Sequence, residues 1–174
     1  MTQQQIPPKI VILMGVSGCG KTTIAETLAN LHHWQWFDAD DFHSPANKAK
    51  IERDEPLSDA DRLPWLQTLH TQMQQWLQAD RSTALACSAL KRSYRDLLSS
   101  GNSAVKFVYL KGSYELISQR LIARKGHFAK VALLKSQFET LEEPTADEAI
   151  EIDIDRDKDE IVRSIDIALS INSK

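Results

Sequence analysis

The chain has 174 residues, a hydrophobic fraction of 42% and a formal net charge of −3. These values suggest one globular domain over residues 1–174; they exclude a general basic surface for nucleic acid and an apolar run of the ~18 residues that span a membrane. The N-terminus has no secretory signal pattern, and the two cysteines fit neither a metal site nor a disulfide framework, so we expect a reduced, cytoplasmic protein.

Predicted strands and helices alternate along the chain. In chain order we predict a strand at 9–14, a helix at 21–31, a strand at 34–37, a short helix after Ser44-Pro45, and a long helix from a capping box at 58–61 to about 80. A strand at 83–87, a helix at 93–99, a strand at 105–110, helices at 114–125 and 131–141, a strand at 150–154 and a helix at 158–169 follow. Pro64 is expected to kink or restart the long helix. This order predicts an α/β fold with a mainly parallel five-stranded sheet and helices on both faces.

The most specific motif is GVSGCGKT at residues 15–22, between the first strand and the first helix. It is the complete G-x-x-x-x-G-K-[ST] pattern, whose glycines let the backbone wrap closely around a phosphate group. The N–H groups of such a loop face the phosphate oxygens at a helix N-terminus, where the helix dipole favours anions. Lys21 would reach the β- and γ-phosphates, and Thr22 would ligate Mg²⁺. The motif predicts that this chain binds a nucleoside triphosphate.

Acidic residues cluster directly after the second predicted strand, at Asp38, Asp40 and Asp41. The sheet order of such folds would bring this strand end to the crevice beside the phosphate loop. If the chain stays extended there, Asp38 and Asp40 point the same way. One carboxylate could then hold a Mg²⁺-bound water while the other accepts a proton from an attacking hydroxyl. The alternative is a solvated acidic turn.

Basic residues stand near several other predicted ligand-side ends. Arg62 and Lys91 are candidates for binding an anionic acceptor, and His43 is either functional or a hydrogen-bonding scaffold. Arg120 and Arg124 have helical i, i+4 spacing, where a positioned arginine would stabilise the charge of a transferred phosphoryl group. They precede residues 125–144, whose excess length between a helix and a strand suggests a lid that excludes water. An exposed basic helix end is the alternative.

Cys19 lies at a helix N-terminus beside Lys21, where a thiol is expected to be reactive. We therefore expect that alkylation of Cys19 inactivates the protein and that bound ATP protects it. Cys87, near the end of a buried strand, is expected to be inert.

Six stretches of the chain together resemble the gluconate kinases (gluconokinases) of the small phosphate-loop kinase group. They are LMGVSGCGKT at 13–22, FDADDFHSPANKAKI at 37–51, PLSDADRLPWL at 56–66, CSALKRSYRDLL at 87–98, VYLKGSYELISQRLIARKGHF at 108–128 and LLKSQFETLEEPTADE at 133–148. The resemblance implies a three-layer phosphate-loop kinase fold with a lid, as in shikimate and adenylate kinases. It also implies ATP-dependent phosphorylation of D-gluconate at its 6-hydroxyl, yielding 6-phospho-D-gluconate and ADP, in a homodimer that uses Mg²⁺.

The resemblance also assigns expected roles to residues. The ATP-binding residues would be Gly15, Val16, Ser17, Gly18, Cys19, Gly20, Lys21, Thr22, Arg120 and Arg124. The D-gluconate-binding residues would be Asp40, His43, Arg62 and Lys91, and the Mg²⁺ ligands would be Thr22 and Asp38. The catalytic residues would be Lys21, Asp40 and Arg124, with Asp40 as the base or the group that orients the hydroxyl.

Two positions differ from the family pattern. Cys19 replaces a common serine, which should leave phosphate binding intact because the loop acts through its backbone. Ala39 replaces a glycine, and its methyl group is expected to crowd the acceptor. Members that act chiefly in L-idonate metabolism look similar, so both pathway assignments stay open. A nucleotide or shikimate kinase, a nucleotide-driven switch or ATPase, and a non-catalytic binding module are the competing interpretations.

Overall fold

The computed structural model describes residue 7, residues 9–124 and residues 128–169, without the side chains of residues 128–130. The strands within these residues are β1 Ile10–Met14, β2 Gln35–Asp38, β3 Thr83–Ala86, β4 Val105–Lys111 and β5 Ala149–Asp153. The α-helices are α1 Lys21–His32, α2 Pro45–Glu52, α3 Asp59–Gln78, α4 Arg92–Ser99, α5 Tyr114–Ala123, α6 Phe128–Thr140 and α7 Lys158–Leu169. A 3-10 helix at Ala39–Phe42 follows β2. The predicted order of elements is confirmed throughout this part of the chain.

The five strands form one sheet in the order β2-β3-β1-β4-β5, and every recorded pairing is parallel. Strand β2 is therefore separated from β1 by β3. The register compensates for this separation, because Asp38 pairs with Ala86 and Ala86 pairs with Leu13. The ends of the three strands consequently lie level at one edge, the edge where open α/β sheets bind ligands.

Two hydrophobic clusters cover the two faces of the sheet. All five residues of β1 are fully buried, which is why this strand is a continuous apolar run. Val11 and Leu13 face the cluster that includes residues of α1, α5 and α7, whereas Ile10, Ile12 and Met14 face the cluster that includes residues of α3 and α4. The molecule is thus the predicted three-layer sandwich, with the central strand ending directly in the phosphate loop.

Serine caps define the starts of α2 and α3. The hydroxyl of Ser44 accepts a hydrogen bond from the backbone N–H of Asn47, and Ser58 and Asp61 form the reciprocal capping box. The expected restart at Pro64 is wrong, because α3 continues without a break from Asp59 to Gln78. A proline at the sixth helical position removes a single hydrogen bond, and the buried apolar face of α3 outweighs this loss.

Helix α6 lies within the segment that was predicted to be a lid. Leu134 is completely buried, and Phe138 packs edge-on against Tyr114 of α5. The C-terminal half of α6 is therefore docked on the molecule. Residues 125–127, where the predicted lid begins, lie outside the described residues. In the described part of the chain, no helix is both long and apolar enough to cross a bilayer.

Candidate active site

The loop at residues 15–20 is shaped by glycines with positive φ. Gly15 has a φ of 144°, and a Cβ there would lie 2.8 Å from Sγ of Cys19 and 3.0 Å from the carbonyl oxygen of Leu110. Gly20 has a φ of 100° and occupies the N-cap of α1 with no side-chain cap. The first N–H groups of α1 are therefore not satisfied by the capping residue, which suits them to bind an anion.

The ammonium group of Lys21 is folded back onto the loop. Its Nζ donates to the carbonyl oxygens of Gly15 at 3.1 Å and Val16 at 2.9 Å. A phosphate oxygen is a charged acceptor and forms a stronger hydrogen bond than a carbonyl. A bound phosphate group would therefore draw the ammonium group of Lys21 away from these two carbonyl oxygens.

Gln137 of α6 reaches the phosphate loop, a contact that the sequence did not suggest. The backbone N–H of Ser17 donates to Oε1 of Gln137 at 2.5 Å. This N–H is one of those expected to bind phosphate oxygens. The two residues are 120 positions apart, and a glutamine in a helix gives no sequence signal of such a contact.

Cys19 is buried beneath the loop. Its residue surface is 2% exposed, and its Sγ occupies the space next to Gly15. The expected ready alkylation of Cys19 is therefore not supported, because a reagent cannot reach the sulfur without opening the loop. Cys87 is buried as expected, and desolvation raises the pKa of its thiol to about 12.

The phosphate loop and the acidic stretch meet at a hydrogen bond. Thr22 Oγ1 at the start of α1 donates to Oδ2 of Asp38 at 3.1 Å. This contact forms although β1, which leads into the phosphate loop, and β2, which ends at Asp38, are separated by β3. A hydroxyl and a carboxylate are the hard oxygen ligands that Mg²⁺ prefers, and Mg²⁺ is commonly held by one or two protein groups together with substrate phosphates. The two predicted ligands therefore fit Mg²⁺. Among the described residues no cluster of three or more His, Cys, Asp or Glu is arranged to hold a metal.

Asp40 lies in the 3-10 helix. The expectation that an extended chain would point the side chains of Asp38 and Asp40 the same way is therefore wrong. The backbone N–H of Asp40 instead donates to Oδ1 of Asp38 at 2.9 Å, which turns the chain sharply and keeps the two carboxylates close. The side chain of Asp40 is 76% exposed. Partial desolvation in the cleft, and then the charge of Asp38, raise the pKa of Asp40, while Lys21 opposes this shift.

His43 is buried beside Asp40. Its ring stacks on Trp65 with centroids 4.2 Å apart, and its Nε2 lies 3.8 Å from Oδ1 of Asp40. Desolvation and the nearby cations of Arg62 and Lys48 lower the pKa of His43 to about 4. The imidazole is therefore neutral at pH 7.

The predicted acceptor cations converge on Tyr94. The guanidinium of Arg62 lies 5.9 Å and the ammonium of Lys91 lies 5.6 Å from the centroid of the Tyr94 ring. Lys91 also contacts both carboxylate oxygens of Asp59 at 3.0 Å, and the Tyr94 hydroxyl donates to the same carboxylate. Arg62 and Lys91 thus belong to one cluster, but Asp59 already compensates the charge of Lys91. No sequence pattern marks Tyr94 or Asp59 as members of this cluster.

The two arginines predicted to share a helix face do not do so. Helix α5 ends at Ala123, and Arg124 adopts an extended conformation and is exposed. Arg120 donates to the carbonyl oxygen of Ile154 at 2.9 Å, which places it at the connection after β5. The side chains of Arg120 and Arg124 are separated for two reasons: Arg120 is hydrogen-bonded to the connection after β5, and α5 ends before Arg124. Their predicted roles at ATP stay predictions.

A buried arginine supports the loop that carries Lys91. Arg95, 2% exposed, donates to the carbonyl oxygens of Ala89, Leu90 and Glu142 and pairs with the carboxylate of Glu148 at 3.3 Å. It therefore joins the end of β3 to the segment that follows α6. No sequence pattern marks Arg95, because its partners are carbonyl groups and a carboxylate that only the fold brings together.

Ala39 does not crowd the acceptor as expected. It is 1% exposed and belongs to the hydrophobic cluster under α3, where the indole N–H of Trp65 donates to its carbonyl oxygen at 2.8 Å. The methyl group of Ala39 therefore packs in this buried cluster and not beside the exposed carboxylate of Asp40.

A complete phosphate-loop motif at the start of α1, joined to a carboxylate after β2 at one edge of a parallel sheet, is the arrangement of a phosphate-loop kinase. The family model described as "AAA domain" matches residues 10–144. The chain is similar to a solved sugar kinase from Janibacter, with 42% identity and a TM-score of 0.86 over 95% of this chain and 96% of that one.

More specific similarities narrow this class. The chain is 45% identical to the thermoresistant gluconokinase of Escherichia coli, over 89% of this chain and 90% of that protein. It is 34% identical to a solved gluconokinase from Sinorhizobium meliloti, with a TM-score of 0.81 over 97% of this chain and 98% of that one. The chain belongs to the gluconokinase family.

Proposed function

We propose that this protein transfers the γ-phosphoryl group of ATP to the 6-hydroxyl of D-gluconate, yielding 6-phospho-D-gluconate and ADP. The observation that carries the proposal is the hydrogen bond between Thr22 and Asp38, which brings the acidic acceptor stretch against the phosphate loop. The printed activity of the Escherichia coli relative, at 45% identity over nearly the whole of both chains, supports gluconate as the acceptor.

In the proposed reaction the hydroxyl oxygen of gluconate attacks the γ-phosphorus in line with the leaving ADP. The bond from phosphorus to the β–γ bridging oxygen breaks, and the proton of the hydroxyl passes to the carboxylate of Asp40. The raised pKa of Asp40 suits a group that must take up a proton. Lys21 would neutralise charge that develops on the transferred group.

Thr22 and Asp38 would hold Mg²⁺, which when bound neutralises charge on the phosphates of ATP. Arg62 and Lys91 would bind the gluconate carboxylate or its hydroxyls; the two cations lie 5.9 and 5.6 Å from the centroid of the Tyr94 ring. Arg124 would lie at the entrance to a lid at 125–144 that excludes water, and Arg120 would contribute from α5, where it donates to the carbonyl oxygen of Ile154.

The competing interpretations lack comparable support. A nucleotide acceptor calls for a platform on which a base stacks, but Trp65 is occupied by His43. A nucleotide-driven switch would want an acid at the end of β3 or β4; β3 ends at Ala86 and β4 at Lys111. The proposal further includes a location in the cytoplasm, where ATP is available. It also includes assembly as a homodimer.

The test is coupled ADP release with D-gluconate, L-idonate, shikimate and AMP as acceptors. We expect turnover with gluconate to exceed turnover with shikimate and AMP by at least about 100-fold, since unmatched polar groups are strongly discriminated. ³¹P NMR of the product should show a phosphorus coupled to the two protons of a CH₂ group. Preferential turnover of AMP or shikimate would overturn the proposal. Lys21→Ala serves as the catalytically impaired control.

A further inference from the structure

A buried asparagine on α2 lies directly behind His43. Asn47 is 6% exposed and His43 is 7% exposed, so neither side chain can satisfy its polar atoms with bulk water. Each of them must therefore be paired within the protein. The proposed reaction assigns no part to Asn47.

The orientation of the Asn47 amide follows from one of its partners. Its Nδ2 lies 2.9 Å from the backbone carbonyl oxygen of Asp61. A carbonyl oxygen only accepts hydrogen bonds, so the atom beside it must be the NH₂ group and not the amide oxygen. The same Nδ2 lies 3.3 Å from Nδ1 of His43, which is the direction available to its second hydrogen.

The tautomer of His43 follows in turn. Because Nδ1 accepts a hydrogen bond from Asn47, the single proton of the neutral ring must be on Nε2. Nε2 is the nitrogen that faces Oδ1 of Asp40, at 3.8 Å. The stacked indole of Trp65 fixes the plane of the ring. His43 therefore presents an N–H donor toward the acceptor cleft.

We propose that Asn47 is a positioning residue that holds His43 as the Nε2–H tautomer, so that His43 donates a hydrogen bond to the acceptor hydroxyl or to Asp40 and never acts as the base. This inference rests on the proposed function for its effect on the reaction. A substrate hydroxyl between the two side chains would accept from His43 while it donates to Asp40. The two neighbouring residues would thereby have opposite and complementary roles.

The first test reads the tautomer in the full-length protein, independently of any activity. Long-range ¹H–¹⁵N correlation spectra at pH 7.5 distinguish the two neutral tautomers, and His43→Gln identifies the His43 signals. We expect the Nε2–H pattern in the parent protein. In Asn47→Asp the carboxylate accepts a hydrogen bond, so His43 should become protonated at Nδ1. An Nδ1–H pattern for His43 in the parent protein would overturn the proposal, even if Asn47→Asp does not fold.

The second test reads the consequence for turnover. We expect Asn47→Asp to lower kcat about tenfold or more while KM for ATP changes less than about twofold, because a wrong tautomer disrupts proton handling without altering nucleotide contacts. In a His43→Gln background, where no tautomer exists, Asn47→Asp should have little further effect. Equal losses in both backgrounds, or a changed tautomer with normal kcat, would overturn the positioning role.

Ser44→Ala is the matched control for a merely structural effect. It removes the hydroxyl that caps α2 at the N–H of Asn47, 3.2 Å away, but leaves the Asn47 amide unchanged. We expect this variant to keep the Nε2–H tautomer and a kcat within about twofold of the parent protein. A shifted tautomer in Ser44→Ala would mean that the placement of α2, and not the amide, sets the state of His43. Absence of gluconate phosphorylation in the parent protein would defeat the proposed function but leave the tautomer readable.

Discussion

The carboxylate of Asp40 lies near Asp38 and Lys21, beside the phosphate loop and on the stretch that we propose to bind the acceptor. Desolvation, and then the charge of Asp38, raise the pKa of Asp40, whereas the charge of Lys21 opposes that shift; Asp38 also accepts a hydrogen bond from the backbone N–H of Asp40. The side chain of Asp40 is the exposed member of the pair that it forms with buried His43. The carboxylate of Asp40 is therefore accessible, as the proposed role at the substrate hydroxyl requires.

Asp40→Asn is expected to lower kcat by about 10²-fold or more, because an amide cannot take up the proton of the attacking hydroxyl. Binding of ATP, measured by calorimetry in the absence of gluconate, should stay within about threefold of the parent value, since the phosphate loop is unchanged. Asp41→Asn replaces the exposed neighbouring acid and is the matched control. Near-normal turnover in Asp40→Asn would remove Asp40 from the mechanism.

At the scale of elements, Gln137 of helix α6 occupies a backbone N–H of the phosphate loop that a bound phosphate group would also use. Oε1 of Gln137 accepts from Ser17, so a phosphate oxygen must displace this side chain to reach the same donor. Leu134, one turn earlier on α6, is completely buried and keeps the helix close to the loop. Nucleotide binding is thus coupled to the side chain of a residue on α6.

Gln137→Ala is expected to lower the dissociation constant for ATP about two- to tenfold, the equivalent of one competing neutral hydrogen bond. Isothermal titration with ATP measures this change directly. Ser136→Ala, on an exposed neighbouring position of α6, is the control and should leave the dissociation constant unchanged. Weaker ATP binding in Gln137→Ala would instead indicate that the glutamine contacts the bound nucleotide.

Arg95 connects helix α4, the loop after β3 and the segment after α6. Arg95→Met would retain most of the side-chain volume but remove the buried cation that pairs with Glu148 and the donor to the carbonyl oxygens of Ala89, Leu90 and Glu142. We expect a loss of about 3–5 kcal/mol in the free energy of unfolding, measured with urea. Arg92→Met is the exposed counterpart, whose longer ion pairs of 3.8 and 3.9 Å should contribute less than about 1 kcal/mol. Equal losses in the two variants would contradict the linking role of Arg95.

At the scale of the whole molecule, the sequence predicts those features that depend on near neighbours. Apolar runs separated by helical periodicity predict the sheet, and the caps at Ser44 and Ser58 involve partners within three residues. The phosphate loop is recognisable because its glycines and lysine are contiguous. The acids were expected at this site through the order of strands in such folds.

The remaining features depend on contacts that the folded chain alone creates. Gln137 meets Ser17 across 120 positions, and Arg95 meets the carbonyl of Glu142 across 47. The sequence pattern predicts an extended chain at Asp40 and a helix that continues past Arg124. The chain instead turns sharply at Asp40, and α5 ends at Ala123. Amide, carbonyl and hydroxyl partners of this kind have no composition or spacing that marks them in a sequence.

The burial of neutral His43 links the stability of the whole molecule to pH. Its pKa of about 4 in the folded protein lies below the ~6.5 of an exposed histidine, so between these values the unfolded chain binds a proton that the folded protein does not. The free energy of unfolding should therefore decrease as pH falls from about 6.5 to about 4, by up to about 3 kcal/mol from this group. His43→Gln cannot take up this proton, whereas Asp40, with its raised pKa and opposite contribution, is present in both proteins. We therefore expect plots of the free energy of unfolding against pH, measured with urea, to run parallel for the two proteins above pH 7. On acidification the parent protein should lose stability relative to His43→Gln. Parallel plots down to pH 4 would mean that His43 becomes protonated without opening the structure.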